Sequence, residues 1–229
     1  MLHSSAYILS IETTTKNCSV ALFKDEELVI GKEIATEGFS HAEKLHVFVE
    51  EILKETNVSF KQLHAIAVSS GPGSYTGLRI GVSSAKGFAY ALNIPLISVD
   101  TLTALAHQVS EKDGIIIPMV DARRMEVYSA IFDSNKNKIR QTEAQILDET
   151  SFSDLEGKVY FIGDASAKAK EILNNKNFFF LDELQYPTAK TMGNLAYAKF
   201  LKQDFEDLAY YEPFYLKDFL MVTKKSPIN

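Results

Sequence analysis

The segment of this 229-residue chain best suited to chemistry is Gly71-Pro-Gly-Ser-Tyr-Thr-Gly77, set between an apolar run and a helical pattern. Glycines in that setting can bring backbone amides and a helix N-terminus up to an anion. The spacing excludes three common uses of such a turn. Leu78 follows the last glycine where a P-loop needs Lys. The third glycine falls one residue late for a dinucleotide fingerprint. Ser74 follows Gly73 directly, so there is no nucleophile elbow. The same residues also suit a tight strand-to-helix turn capped by Ser74 or Thr76. His41 and His46 would stand ~140° apart on a helix, on different faces, and no His pair at i, i+4 is present, so no metal site is expected. Cys18, the one cysteine, falls on an expected strand with no base nearby in sequence and reads as core.

Composition narrows the class. Hydrophobic residues make up 46% of the chain and charged residues 24%, ordinary globular usage. Twenty-four Lys plus Arg against thirty Asp plus Glu leave a net charge of −6, so no chain-wide attraction draws it to nucleic acid. One cysteine excludes a disulfide framework. The first ten residues lack the basic and apolar regions of a signal peptide, and no apolar run approaches the ~18 residues that cross a bilayer. A cytoplasmic protein with no membrane contact is expected.

The elements that would position these residues follow from periodicity. Tyr7 to Ile11, Cys18 to Phe23 and Leu28 to Ile34 read as strands, the last two joined by a hairpin turn at Lys24-Asp-Glu-Glu27. Ser40-His-Ala-Glu43 fits a capping box, and Leu45, Phe48, Val49, Ile52 and Leu53 form one apolar stripe on the helix that follows. His64 to Ser69 is a strand, Thr76 to Leu92 a helix, and Leu96 to Val99 a further strand. From Ile115 the series repeats: strands at Ile115 to Val120, around Ser129 to Phe132, near Lys138 to Leu147 and at Val159 to Ile162. A helix near Ala165 to Leu173, a strand at Phe178 to Leu181 and a helix at Ala189 to Lys202 complete it. Asp121 ends its strand as Glu12 ends the first. This is an internal duplication of a βββαβα unit, with domains at 1–105 and 106–229 and a tail frayed from Lys217. Two such units describe the duplicated ribonuclease-H-like α/β fold of the actin-like ATPases (ASKHA). In that superfamily the turn after the first strand of each half wraps ATP phosphates. Here the turns are Glu12-Thr-Thr-Thr15 and Asp121-Ala-Arg-Arg124, without the glycines that close backbone approach needs. No ATP hydrolysis and no cofactor are expected.

The helix from Thr76 to Leu92 is too apolar for one contact. Gly77, Gly81, Ala85 and Ala89 form a ridge of small residues, and Arg79, Ser83, Lys86 and Tyr90 confine polarity to a sector roughly 60° wide. Either the helix is wedged between two layers of its own fold, or the small ridge meets a helix of another protein.

Several segments together resemble the bacterial TsaB (formerly YeaZ) family. They are Ile8-Leu-Ser-Ile-Glu-Thr-Thr13 through Ser19-Val-Ala-Leu22, Ser40-His41, Ser70 through Gly81, Asp121-Ala-Arg-Arg124 with Glu126-Val-Tyr128, and Pro213-Phe-Tyr-Leu216. The family's usual aspartate after the first strand is Glu12 here, and Met125 stands where glycine is frequent. The resemblance implies a non-catalytic subunit that pairs with TsaD, which transfers threonylcarbamoyl to adenosine 37 of ANN-decoding tRNAs, with a TsaE-like ATPase in the same assembly. It implies tRNA contact only indirectly, and a homodimer through the same surface when the partner is absent. The interface would lie on the first domain's two helices, at Val47, Gly77, Arg79, Gly81, Ala85, Phe88 and Ala89. Two other readings stand beside it: a glycoprotease-like peptidase acting on its partner, and an autonomous nucleotide-binding relative of sugar kinases.

Overall fold

A computed structural model describes residues 5–35 and 41–217. Ser40 of the expected capping box and the tail beyond Lys217 lie outside the described residues. Among the described residues, ten strands form two five-stranded sheets. The first holds β1 (Tyr7–Glu12), β2 (Asn17–Lys24), β3 (Glu27–Ala35), β4 (Leu63–Ser69) and β5 (Leu96–Val99), in the order β3-β2-β1-β4-β5. The second holds β6 (Ile115–Asp121), β7 (Glu126–Phe132), β8 (Lys138–Ile146), β9 (Val159–Ile162) and β10 (Phe178–Phe180), in the matching order β8-β7-β6-β9-β10. In each, the first three strands run antiparallel and the last two join the first in parallel. The duplication is therefore real, and each unit runs on through a fifth strand and a closing helix.

Helices α1 (His41–Thr56) and α2 (Tyr75–Leu92) cover one face of the first sheet. Leu45, Val49 and Ile52 of α1 pack with Val82, Ala85 and Ala89 of α2 on Leu9, Ile11, Val20, Leu22, Ile66 and Val68. Period-two alternation sends Ile8, Ala21, Phe23, Ala65 and Ala67 to the opposite face. That face is covered from the far end of the chain, by Ala189, Met192 and Ala196 around helix α5 (Gly193–Lys202). A Cβ on Gly193 would come within 2.1 Å of the Phe23 ring, so α5 can begin there only as glycine.

The exchange is mutual. Helix α3 (Thr101–Ala106) belongs by sequence to the first half, yet Leu102, Leu105 and Ala106 pack with Ile116, Val120, Ala130, Phe132 and Ile162 of the second sheet. The expected division at 105 and 106 falls inside this helix. In the second half no helix corresponds to α1 among the described residues; Leu147 and Phe152 of the connecting loop fill the core beside Ile117 and Phe161 instead. Helix α4 there is short (Ser166–Lys170).

Helix α2 corrects one expectation. Gly77, Gly81, Ala85 and Ala89 are all buried inside the chain, the two alanines at 0% exposure in the first core. The small ridge faces its own sheet, because the turn after β1 approaches α2 too closely for larger side chains. It is not available to a partner. Ala85→Arg should therefore overpack the core and bury a charge, destabilising by about 4 kcal/mol or more. Thermal melting should drop by ~10 °C. A melt within about two degrees of wild type would place Ala85 on open surface.

Candidate functional site

The first turn that could have wrapped a phosphate is closed by protein. Glu12 is fully buried, and its Oε1 accepts the Thr14 amide at 2.5 Å and the Thr14 hydroxyl at 2.6 Å. Its other oxygen accepts the Ser69 hydroxyl from the end of β4. Burial raises the Glu12 pKa, while the Ser69 and Thr14 hydrogen bonds pull against the rise. The carboxylate thus points inward and ties β1 to β4. From the other side the glycine-rich segment closes over the turn. The Ser74 amide donates to the Thr14 carbonyl at 2.6 Å, and the Thr13 hydroxyl donates to the Gly77 carbonyl at 2.7 Å. A Cβ would lie 2.4 Å from the Thr14 carbonyl oxygen at Gly73, and 2.0 Å from the Thr13 carbonyl oxygen at Gly77. These glycines serve backbone-to-backbone packing of turn on helix, and Ser74 caps α2 by accepting the Gly77 amide. The tight-turn reading of the segment is the one observed.

The second turn, between β6 and β7, stands open to solvent. Arg123 and Arg124 hold φ of 70° and 50°, the left-handed region that glycine or asparagine usually fills. The Arg123 amide donates to Asp121 Oδ1, and the Lys168 ammonium bridges Asp121 and the carbonyls of Arg124 and Glu126. Asp164 accepts the Asp121 amide at 2.8 Å. Burial lifts the Asp164 carboxyl to about 6, with the neighbouring Asp121 charge adding to the rise. A cavity of about 730 Å³ lies between this turn, the Thr14–Lys16 segment and the start of α2. The segment after α5 forms another wall: the Phe214 amide donates to the Ser70 carbonyl at 2.7 Å, and the Lys86 ammonium holds the Tyr211 carbonyl at 3.0 Å.

The histidines part company. His41 is buried, and its Nε2 donates to the Thr15 carbonyl at 2.6 Å, since a carbonyl can only accept. His46 is exposed and lies 5.7 Å from the Phe88 ring. Among the described residues no group of three or more His, Cys, Asp or Glu side chains is gathered as a metal would require. Cys18 is buried, and desolvation pushes its thiol up to about 11, far from a nucleophile at neutral pH.

Of the expected interface residues, Val47, Phe88 and Arg79 remain on the outer side of the helices. Val47 is 44% exposed, and Phe88 stacks on the half-open Phe60 with ring centroids 5.8 Å apart. Arg79 is exposed, its guanidinium 4.1 Å above the Tyr75 ring. The sequence reading passed over Gly87. It is exposed, and a Cβ there would meet nothing within 4 Å, so neither packing nor backbone conformation requires glycine. Ser83, Tyr90 and Ala91 are exposed beside it. A mid-helix glycine with no internal role was the available signal.

A family model described as TsaD: tRNA N6-adenosine threonylcarbamoyltransferase matches residues 37–221. The chain is 30% identical over 220 residues to the tRNA threonylcarbamoyladenosine biosynthesis protein TsaB of Escherichia coli strain K12, spanning 92% of this chain and 94% of that one. It is 33% identical over 189 residues to the protein of the same description from Buchnera aphidicola subsp. Acyrthosiphon pisum, covering 77% and 84%. The solved structure of YeaZ from Pseudomonas aeruginosa superposes with a TM-score of 0.79 at 23% identity, covering 92% of this chain and all of that one, and so shares the fold.

The Asp164 environment has a measurable consequence. Its folded pKa of about 6 lies above the ordinary 3.8, so the folded state holds a proton that the unfolded chain releases between those values. Stability from this group is therefore gained as pH falls through about 6 and forfeited above it. Asp164→Asn keeps an oxygen for the Asp121 amide and removes the buried charge. Melting at pH 8 should rise by roughly 2–6 °C, with the gain vanishing toward pH 4. An equal gain at both pH values would contradict the burial account.

Proposed function

The chain belongs to the TsaB family, and from that premise we propose that it is the non-catalytic partner subunit in the threonylcarbamoylation of tRNA adenosine, pairing with a TsaD-type transferase. The observation that carries the pairing is the outer face of α1 and α2. Val47, and Phe60 from the turn before β4, leave apolar surface open there, with half-buried Phe88 stacked on Phe60, and Gly87 leaves room for a second backbone to approach. An exposed glycine inside a helix destabilises it by roughly 0.5–1 kcal/mol relative to alanine. A close helix–helix contact in the assembly accounts for its presence. The partner-facing surface on α2 is thus the ridge of Ser83, Gly87 and Ala91, on the same helix as expected but turned away from the sheet.

A non-catalytic role is supported by the state of the candidate chemistry. Glu12 is turned inward, Cys18 is held as a thiol, and the glycine-rich segment is consumed in packing. These features disfavour both the peptidase reading and that of an autonomous nucleotide-binding relative of sugar kinases. A TsaE-like ATPase belongs to the same assembly on this proposal, and the protein works in the cytoplasm where tRNA is modified. A second copy of the chain would compete for the same α1–α2 face.

Gly87→Arg separates fold from interface. In the isolated chain the substitution enters open space, so melting should hold or rise slightly. At a close helix contact it would overpack by about 1–3 kcal/mol, reducing capture of the organism's TsaD-type protein by ~10–100-fold, with tRNA modification falling in step. Capture at wild-type strength would remove this face from the interface.

A further inference from the structure

The cavity beside the second turn gathers positive charge in a chain whose net charge is −6. Lys16, Arg123 and Lys217 reach its lining from three separate segments. Its two carboxylates are already engaged. Asp121 pairs with Lys168 and accepts the Arg123 amide, and Asp164 accepts the Asp121 amide. Lys217 pairs with Glu126. Arg123 has no carboxylate at ion-pairing distance among the described residues, although the backbone holds it in a conformation unfavourable for arginine. Aromatic rings share this lining. Tyr75, Tyr128 and Tyr215 line the cavity, with Tyr75 and Tyr215 ring centroids 5.0 Å apart and the Arg79 guanidinium over the Tyr75 ring. The eighteen-residue helix α2 begins at Tyr75, directing its positive end into the same space.

Cations and flat aromatic rings lining one cavity of this volume suit one ligand chemistry, a phosphate joined to a planar base. We propose that the cleft takes an unpaired nucleotide of an RNA strand, with its phosphate on Arg123 and Lys217 and its base against Tyr75 and Tyr215. The choice of RNA as the carrier rests on the function proposed above. Two observations favour a strand over a free nucleoside triphosphate. The first turn is closed by Glu12 and the glycine-rich segment, so no polyphosphate cradle exists there. Outside the cavity lining, Arg79 and Arg124 are exposed and so open to further phosphates of a strand. Each added phosphate contact raises affinity and steepens its dependence on salt.

Arg123→Gly is the decisive variant, because glycine relaxes the left-handed backbone while removing the guanidinium. The probe is a labelled single-stranded RNA of about ten nucleotides, titrated by fluorescence anisotropy at about 50 and 200 mM salt, against the full chain alone and bound to its TsaD-type partner. Binding should weaken with salt and fall ~10-fold in Arg123→Gly and in Tyr75→Ala, while the melt of Arg123→Gly holds or rises and partner capture is unchanged. Equal RNA binding by wild type and Arg123→Gly would overturn the site. So would the absence of RNA binding in both forms at low salt while the partner is still captured, an outcome that leaves the proposed function standing. ATP competing as strongly as RNA would assign the cleft to a free nucleotide instead, and a polyglutamate peptide competing as strongly would reduce it to a general anion site. Loss of partner capture by the wild type would strike the proposed function and not the cleft.

Discussion

A carboxylate with no access to water must find donors inside the fold, and Glu12 finds them on both sides of a junction. One oxygen gathers the amide and hydroxyl of Thr14, bending the chain as it leaves β1; the other takes the Ser69 hydroxyl where β4 ends. That fixes the turn under the start of α2, and the glycines at 73, 77 and 81 let the helix settle on it. Everything functional follows from this seating. The inner ridge of α2 is committed to the sheet, the outer ridge is presented to solvent, and the helix N-terminus is brought to the mouth of the cleft. The corner where the fold resemblance implied a phosphate is filled with protein.

The second organising feature is the exchange of helices between the halves. Each sheet needs cover on both faces, and for each one face is covered from the other half. Helix α3 lies on β6 and β7, and α5 lies on β1 and β5. Hydrogen bonds reinforce the exchange: Thr191 donates its hydroxyl to the Ala104 carbonyl at 3.0 Å, and the Ala189 amide donates to the Ser19 hydroxyl at 2.8 Å. The cleft is therefore framed by two sheets that are fastened to each other through the exchanged helices.

Much of this architecture was legible in the amino-acid sequence because strands and one-sided helices leave periodic traces. Leu96–Val99 and Val159–Ile162 coincide with their expected bounds, and the duplication was visible in two matching strands and two acidic strand ends. Helix α3 left no such trace. Five of its six residues are buried, so it shows no alternation of apolar and polar faces. The orientation of α2 was illegible for a related reason. A helix apolar over most of its circumference does not declare which stripe meets the sheet, and small residues occur on both ridges. What decides it is the distance from Thr13 to Gly77 and Gly81, a contact between residues far apart in sequence that no local pattern encodes.

The crossing of α5 also sets an order of events as the chain leaves the ribosome. Ile8, Ala21, Phe23, Ala65 and Ala67 are synthesised early, yet side chains that cover them, Met192 and Ala196, arrive only long afterwards. Chains commonly fold vectorially, each N-terminal domain closing before the next is made. Here the first sheet can form early but keeps one oily face bare until α5 has been made. The two halves consequently mature as one cooperative unit, and a nascent or truncated chain ending before Gly193 carries a sticky surface for chaperones to shield.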